Sequence, residues 1–399
     1  MHETNSLHLV IVSIRTAVNF RRRWYVEAVF GQYVKTFSNY FGRVTLCCQA
    51  VKKDIVPTQY SFQLDSTPVR VVSIPAWYGR IVKYLFAPFS LLSTIRDASL
   101  VFVLYPGWIP ALAVALAWCL RKPVILYIAG DWGDITRYRN NPPVAAHWTR
   151  ALQTYLFDHL TRWVARKSSL VLTAGAMLQA KLKEICAKPV LEAHPVAYFN
   201  PQFLYQRDDT CKGDVVRCLY VGNLTKAKGV RYLTDALAVV SQHGYQVALD
   251  IVGTGPLEKE VAAWTNKTGI PCRLHGYIPH GPALFALYRS ADIFVFPSLS
   301  EGFPRVIYEA MGQSLPIITT AVGGIPMVLT HEETALLVPP RSAEAIAEAI
   351  IRLITDPELR QRLIRNAFAI AELVWHQNPA EQIAQWVFEY IFRKWRDKG

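Results

Sequence analysis

The stretch SLSEGFPRVIYEAM (Ser298–Met311) joins an apolar run to a helix-forming pattern. The run before it, Asp292–Phe296, predicts a buried strand. Pro304 is typical of a first helical turn, because its missing N–H would have no partner there. Gly302 lets the backbone approach a ligand closely. The order therefore predicts a strand, a turn and a helix whose free N–H groups favour an anion.

Two glutamates of this stretch are candidate ligand-binding residues. Glu301 lies in the predicted turn, and Glu309 lies about a turn and a half into the predicted helix. Carboxylates accept hydrogen bonds from sugar or ribose hydroxyls. We therefore expect both to face one cleft at the carboxyl edge of a sheet, although paired glutamates are also common on ordinary surfaces.

Four further segments of the same half show a glycine turn after an apolar run. They are GNLTKAKG (Gly222–Gly229), VGTGP (Val252–Pro256), HGYI (His275–Ile278) and AVGGIP (Ala321–Pro326). Lys228 of the first segment offers a point charge to a phosphate. One such turn is usually structural, but the order and spacing of all five together are far more specific.

Apolar runs alternate with helical patterns along the whole chain, which is typical of parallel sheets covered on both faces. In the first half the predicted strands are Leu7–Ile14, Val44–Gln49, Val69–Ile74, Leu100–Tyr105, Val124–Ile128 and Leu170–Thr173, with a helix over Val144–Arg166. In the second half they are Val216–Val221, Val247–Val252, Cys272–Leu274, Ile293–Phe296, Pro316–Thr320 and Ala335–Val338. A polar linker at Asn200–Asp214 predicts two α/β domains, residues 1–200 and 201–380. A last helix over Gln382–Trp395, within residues 381–399, is expected to cross back to the first domain.

The composition excludes several classes of protein. The chain has 399 residues, of which 52% are hydrophobic and 18% charged, so it is not a disordered chain. Its seven cysteines form no CxxC or Cys/His cluster, which argues against a disulfide framework or zinc site. Buried free thiols in a reducing, cytoplasmic compartment are the simpler interpretation.

All of the net positive charge lies in the first half. Residues 1–200 contain 23 Lys and Arg against 10 Asp and Glu, whereas residues 201–399 contain 20 of each. This asymmetry suggests an anionic partner, although a solvated basic surface would give the same count. Nucleic acid is not expected, because no nucleic-acid module is recognisable and the second half is neutral.

A peripheral contact with an anionic membrane is a candidate explanation for the charge. Phe20–Tyr40 and Tyr78–Phe89 combine basic and aromatic residues, as headgroup interfaces do. The alternative for the first segment is a core helix with solvated arginines at its start. No span is predicted, because prolines and a glycine divide the apolar run Val101–Leu120 into a strand and a short helix. Leu7–Ile14 lacks the preceding basic region of a signal peptide.

The second half resembles the donor-binding domain of retaining, family-four glycosyltransferases of the GT-B fold. EGFPRVIYEAM resembles that family's E-x7-E motif, GNLTKAKG its phosphate loop, and VGTGP, HGYI and AVGGIP follow in the family's order. The resemblance covers roughly residues 215–340 closely and the remaining chain more loosely. It implies two Rossmann-like domains facing each other across a cleft, a nucleotide-diphosphate sugar donor and no metal ion.

The resemblance also implies roles for individual residues. Glu309 would bind the ribose hydroxyls, Glu301 the donor sugar and Lys228 the diphosphate. Backbone groups would complete the site: those of Gly302, Phe303 and Arg305 toward sugar or diphosphate, and those of Gly222, Gly253, Gly276, Tyr277 and Ile278 toward phosphate and base. Transfer would retain the anomeric configuration, with the leaving phosphate helping to take the acceptor proton.

The sequence departs from the family pattern at two places. Asn223 follows the glycine of the phosphate loop, where the family commonly has arginine, so a charge-assisted contact is lost and Lys226 would replace part of it. Asp131 follows the strand-like run VILYIAG, where many members have histidine. It is a candidate for orienting donor sugar or acceptor, or else a helix cap.

These observations predict a glycosyltransferase acting on a lipid-linked or cell-surface glycan precursor, as in polysaccharide biosynthesis. Two alternatives remain open. One is another enzyme of the same fold, such as a nucleotide-sugar epimerase or a phosphorylase. The other is a non-catalytic membrane- or polyanion-binding protein with a decayed donor site.

Overall fold

The computed structural model describes residues 6–57, 59–75, 79–128, 147–173, 176–193, 199–301 and 304–392. The chain divides into two compact units. Unit 1 comprises Met1–Tyr198 and Asn378–Gly399, and unit 2 comprises Phe199–Gln377. The polypeptide therefore leaves unit 1 once and returns to it after unit 2 is complete.

Unit 1 is built on one mixed sheet. Its strands are β1 (His8–Phe20), β2 (Arg23–Val26), β3 (Arg43–Lys52), β4 (Phe62–Gln63), β5 (Val69–Pro75), β6 (Leu100–Tyr105), β7 (Val124–Ile128), β8 (Leu170–Thr173) and β9 (Val190–Glu192). The order is β4-β2-β1-β6-β7-β8-β9, with β3 between β1 and β5. All pairings are parallel except those of β2 with β1 and β4. Every strand predicted for this half is present.

The segment Phe20–Tyr40 is not the amphipathic surface helix that its pattern suggests. β1 and β2 form a hairpin in which Val18 pairs with Tyr25, and Arg21 and Arg22 occupy its turn with positive φ. Only α1 (Ala28–Thr36) and the short 3₁₀ turn after it are helical, and the apolar side of α1 is buried in the core. Strand pairing thus overrides the local helical periodicity at the arginines. The core-helix alternative is correct for α1 but wrong for the arginines, which lie in the hairpin and not at the start of the helix.

Helices cover both faces of this sheet. They are α1 (Ala28–Thr36), α2 (Gly79–Arg96), α3 (Trp108–Cys119), α4 (His147–Lys167) and α5 (Ala176–Lys183). One face packs on α1 and on the last helix of the chain, and the other packs on α2 to α5. Within the described residues, no helix is both long and apolar enough to cross a bilayer.

Unit 2 has a wholly parallel sheet. Its strands are β10 (Val215–Val221), β11 (Gln246–Val252), β12 (Cys272–Leu274), β13 (Ile293–Phe296), β14 (Ile317–Thr320) and β15 (Leu336–Val338), in the order β12-β11-β10-β13-β14-β15. The helices are α6 (Val230–Gln242), α7 (Glu258–Thr268), α8 (Pro282–Ser290), α9 (Arg305–Gly312), α10 (Ala343–Thr355) and α11 (Pro357–Trp375). The strand order reverses between β10 and β13, and ligands of such sheets bind at the carboxyl ends beside that point.

The two ends of unit 2 lie against each other. Phe199, the first residue of the unit, stacks on Trp375 with ring centroids 5.2 Å apart. The Trp375 Nε1–H donates to the carbonyl oxygen of Tyr308, 3.2 Å away, beside Glu309. The chain then enters α12 (Pro379–Trp386), which continues as a π-helical segment to Phe392 and packs in the core of unit 1.

The seven cysteines are all free thiols. Cys47, Cys48, Cys186 and Cys218 are buried, in keeping with the interpretation from sequence. Cys119 is exposed at the end of α3, so the expectation of burial is wrong there.

Candidate active site

Three backbone loops meet at the carboxyl edge of the unit 2 sheet. The N–H of Gly222 donates to the Val252 carbonyl oxygen over 2.9 Å, and that of Gly253 donates to the Gly276 carbonyl oxygen over 2.7 Å. A Cβ on Gly253 would lie 2.0 Å from the carbonyl oxygen of Gly222. The loops after β10, β11 and β12 are therefore packed backbone to backbone, and the missing Cβ of Gly253 makes the closest approach possible.

A fourth loop joins this group from the other side of the reversal point. Gly229 has a φ of 68°, and a Cβ there would lie 1.9 Å from the Pro297 carbonyl oxygen. The Leu299 N–H donates to the Ala227 carbonyl oxygen at 2.8 Å. The loop that carries Lys228 is thus held against the loop that carries Glu301.

Lys228 and Glu301 form an ion pair between these two loops. The Lys228 Nζ contacts Glu301 Oε1, and the Ser298 hydroxyl donates to the same oxygen over 2.7 Å. The Lys228 ammonium also lies 5.6 Å from the centroid of the Phe296 ring. The side chains are 26% and 9% exposed respectively, so the cation remains accessible while its partner is largely desolvated. Partial burial strengthens the attraction between the two charges.

Glu309 is held by a separate set of partners. It is 1% exposed, and its Oε2 accepts a hydrogen bond from the Tyr288 hydroxyl at 3.0 Å. Its Oε1 accepts from Arg305 Nε at 3.2 Å and lies 3.7 Å from His280 Nε2. Burial, followed by the charge of Glu309, raises the pKa of Tyr288 well above its ordinary value, so the phenol remains a donor.

Some of these partners were not found from the sequence. Arg305 lies one helical turn before Glu309, so the i,i+4 spacing could have predicted that pair. From the sequence, only the backbone of Arg305 is expected to contact the donor. Tyr288 and His280 come from α8 and the loop before it, and no local pattern connects them to Glu309.

Another unpredicted contact orients the HGYI loop. His275 Nε2 lies 2.6 Å from Asp250 Oδ1, and the His275 N–H donates to the Ile251 carbonyl oxygen at 2.9 Å. Asp250 is buried in the middle of β11. These contacts hold His275 in place and so set the positions of Gly276 and the exposed Tyr277, which follow it.

The remaining predicted site residues have varied positions. The Asn223 side chain is exposed, while its carbonyl oxygen accepts a hydrogen bond from the Tyr220 hydroxyl at 3.0 Å. Lys226 is exposed in the short 3₁₀ turn of the same loop, and Ile278 is half-buried. Asp131, Gly302 and Phe303 lie outside the described residues.

Comparison with solved structures defines the fold class. The chain is similar to HepE of Anabaena, solved in complex with UDP, with a TM-score of 0.70, 15% identity and coverage of 96% of this chain and 100% of HepE. It is also similar to the lipopolysaccharide-biosynthesis glycosyltransferase WaaG, with a TM-score of 0.66, 17% identity and coverage of 94% and 98%. The protein has the GT-B fold, as its sequence predicts.

Comparison of sequences confirms the resemblance for unit 2. Residues 206–369 match the family described as glycosyl transferases group 1, so the resemblance to family-four enzymes is confirmed. The alpha-D-kanosaminyltransferase of Streptomyces kanamyceticus is 27% identical over 56% of this chain and 64% of its own length. CapM of Staphylococcus aureus, a capsular polysaccharide biosynthesis glycosyltransferase, is 30% identical over 40% of this chain and 43% of its own length. The chain thus spans less than two thirds of the length of each of these two relatives.

Proposed function

We propose that the protein is a glycosyltransferase that moves a sugar from a nucleotide-diphosphate donor to a hydroxyl acceptor. The observation that supports this proposal most directly is the set of contacts made by the two glutamates of the E-x7-E stretch. Glu301 is paired with Lys228, and Glu309 is buried with Tyr288 and Arg305. Both lie after β13, beside the point where the strand order reverses. The group 1 match over residues 206–369 supports the same activity.

Glu309 would accept hydrogen bonds from the ribose hydroxyls of the donor. A carboxylate has about four lone-pair sites, and Tyr288 and Arg305 use two of those on Glu309. Because Glu309 is only 1% exposed, the Arg305 side chain would swing aside when the nucleotide enters. Tyr288 would remain in place and keep the carboxylate oriented.

Lys228 would exchange Glu301 for the diphosphate. A phosphate group offers a higher charge than a carboxylate, and Glu301 would then be released toward the hydroxyls of the donor sugar. Transfer would retain the anomeric configuration, with a phosphate oxygen of the leaving nucleotide taking the acceptor proton. Asp131 remains a candidate for orienting donor or acceptor.

Substituting the two lysines separately tests which one binds the diphosphate. Lys228→Met should abolish most turnover, because its methylene stem is kept and its charge is lost. Lys226→Met should reduce turnover less, since that side chain is exposed in the 3₁₀ turn. The reverse ranking would assign the diphosphate to Lys226 and refute the role of Lys228.

The proposal extends to conditions, acceptor and location. The reaction would need no metal ion, so rates in EDTA and in Mg²⁺ should agree. The acceptor would be a lipid-linked or cell-surface glycan precursor, as the name of CapM suggests for that relative. The protein would act in the cytoplasm, at the inner face of the membrane.

Thermal unfolding with UDP, GDP, ADP, CDP and dTDP tests donor binding directly. A nucleotide at 100 times its dissociation constant should stabilise the fold by about 2.7 kcal/mol. Glu309→Ala should lose this shift, and Glu332→Ala, which removes a glutamate of the same unit whose side chain is 43% exposed, should keep it. If no nucleotide raises the melting temperature at millimolar concentration, unit 2 does not bind a donor and the proposal fails.

A further inference from the structure

Three neighbouring helices of unit 1 leave an unusual outer surface. α2 packs on α3 and α3 packs on α4, and their inner sides share one core against the sheet. α3, WIPALAVALAWC, contains no charged residue. A helix that is apolar all round is normally buried, yet Trp118 of α3 is 49% exposed and Cys119 is exposed.

The outer positions of the two flanking helices are also apolar. Phe86, Phe89 and Leu92 of α2 are 54%, 72% and 43% exposed. Tyr155, Leu156 and Trp163 of α4 are 60%, 50% and 37% exposed. Exposed apolar residues scattered singly need no explanation, but a set on adjacent helices marks an interaction surface. We call this set with Trp118 the apolar helix face.

Cations lie beside this face. The sequences of the three helices contain seven Lys and Arg and a single acid, Asp158, and the four cations whose side chains the structure describes are Arg96, Arg162, Arg166 and Lys167. Arg162 and Arg166 lie on either side of the exposed Trp163 in α4 and are themselves exposed. The Lys167 ammonium lies 4.0 Å from the centroid of the Trp118 ring, which joins the basic edge to the apolar centre.

We propose that the apolar helix face docks on the surface of a bilayer that contains anionic lipids. Aromatic rings and lysine or arginine stems suit the boundary between headgroups and acyl chains. Each cation near an anionic leaflet adds attraction that extends about one Debye length. The apolar helix face includes Phe86 and Phe89 from Tyr78–Phe89, the second segment that the sequence suggested. It excludes the first, Phe20–Tyr40, since the apolar side of α1 is buried.

The charges favour lipid over a second copy of the chain. A two-fold interface brings the same patch of both subunits together. The α4 cations Arg162, Arg166 and Lys167 of both subunits would then share one interface, with only Asp158 from the three helices of each subunit to neutralise them. An anionic membrane supplies the missing negative charge over the whole face.

Vesicle flotation of the full chain tests this docking. Binding should be strong with vesicles of phosphatidylcholine that contain about 30% phosphatidylglycerol and weak with phosphatidylcholine alone, because the anionic lipid attracts the cations of the face. Phe89→Glu combined with Leu92→Glu should weaken binding about tenfold or more. Replacing Arg162 and Arg166 by Gln should weaken it about fivefold per charge.

A matched control and a second measurement keep the test decisive. Leu373→Glu, at a position 70% exposed on α11 of unit 2, should bind vesicles as the unaltered chain does. If the Phe89/Leu92 variant binds vesicles as strongly as the unaltered chain does, the docking face is refuted. Flotation that does not depend on anionic lipid would also refute it. If the unaltered chain sediments as a dimer and does not bind vesicles, and this variant sediments as a monomer, the face binds a second copy instead.

The inference deepens the proposed function by naming the surface on which a lipid-linked acceptor would be met. Its readout needs neither donor nor turnover. A chain that binds vesicles but shows no nucleotide-dependent stabilisation would refute the glycosyltransferase proposal alone. If nucleotide raises the melting temperature but the chain does not float with vesicles, only the docking proposal is refuted.

Discussion

Replacing Gly229 by alanine should separate the two loops that hold Lys228 and Glu301. The added Cβ would lie 1.9 Å from the Pro297 carbonyl oxygen, which is backbone and cannot rotate away. Ordinary contact begins at 3.4 Å, so the loops must move apart by about 1.5 Å. That movement would stretch the Lys228–Glu301 ion pair.

Gly269 provides a control with the same backbone conformation. Its φ is 70°, close to the 68° of Gly229, and a Cβ there would meet nothing within 4 Å. Gly269→Ala should therefore cost only the left-handed penalty, about 1–2 kcal/mol. Gly229→Ala should add about 1–3 kcal/mol of overpacking. For a unit of this size each kcal/mol lowers the melting temperature by about 2–4 °C.

Thermal unfolding and nucleotide titration of both variants measure the two effects. Gly229→Ala should melt several degrees below Gly269→Ala and bind the donor nucleotide about tenfold more weakly. Gly269→Ala should keep the nucleotide affinity of the unaltered chain. Equal melting temperatures and equal affinities for the two variants would mean that the loop contact does not position Lys228.

Three further substitutions have defined outcomes. Arg360 makes two hydrogen bonds to Asp209, of 2.5 and 3.0 Å; burial raises the pKa of Asp209, but these bonds, with others, lower it by more, to below its ordinary value. The ion pair therefore stabilises the fold above the pKa of Asp209 in the unfolded chain, and this stabilisation is lost as pH falls through the pKa in the folded chain. In urea unfolding, Asp209→Asn should lower the free energy of unfolding by about 3–5 kcal/mol at pH 7 and by less below about pH 4. A loss that does not change with pH would exclude this ion pair as its source. Tyr288→Phe keeps the ring and removes the donor to Glu309, so isothermal titration should show nucleotide affinity about fivefold or more weaker, and unchanged affinity would show that Glu309 needs no such support. Trp375→Ala should destabilise unit 2 by about 3–5 kcal/mol in urea, because the side chain is 1% exposed; a cost under about 1 kcal/mol would mean that the site collapses around the change.

The sequence predicts best where one local signal suffices. The strands Leu100–Tyr105, Val124–Ile128 and Ile293–Phe296 are continuous apolar runs, and the structure has them at those residues. The start of α9 is predicted to within one residue, because Pro304 is its N-cap residue with extended backbone and the helix begins at Arg305. Gly229 of GNLTKAKG and Gly253 of VGTGP mark where two backbones approach, because a Cβ at either position would lie within 2.0 Å of a carbonyl oxygen.

Contacts between distant segments were not predictable in the same way. β2 and β4 are short strands at one end of the unit 1 sheet. β2 begins at Arg23, after a turn made by Arg21 and Arg22, and this arginine-rich stretch has the sequence pattern of a helix start. The Tyr288–Glu309 bond joins a phenol on α8 to a carboxylate on α9, and either residue alone reads as ordinary. The apolar helix face can be recognised only from the exposed side chains of three helices, since the sequence of α3 alone is typical of a buried segment.

The return of the chain to unit 1 has a consequence for its synthesis on the ribosome. Ala380, Ile383, Ala384, Val387 and Ile391 complete the core against α1, yet they are translated after all of unit 2. Unit 2 can therefore finish folding while unit 1 still exposes the apolar surface reserved for α12. During that interval, the first half of the protein is the part in need of a chaperone, and a nonsense mutation near residue 380 would damage it more than the unit in which translation had just ended.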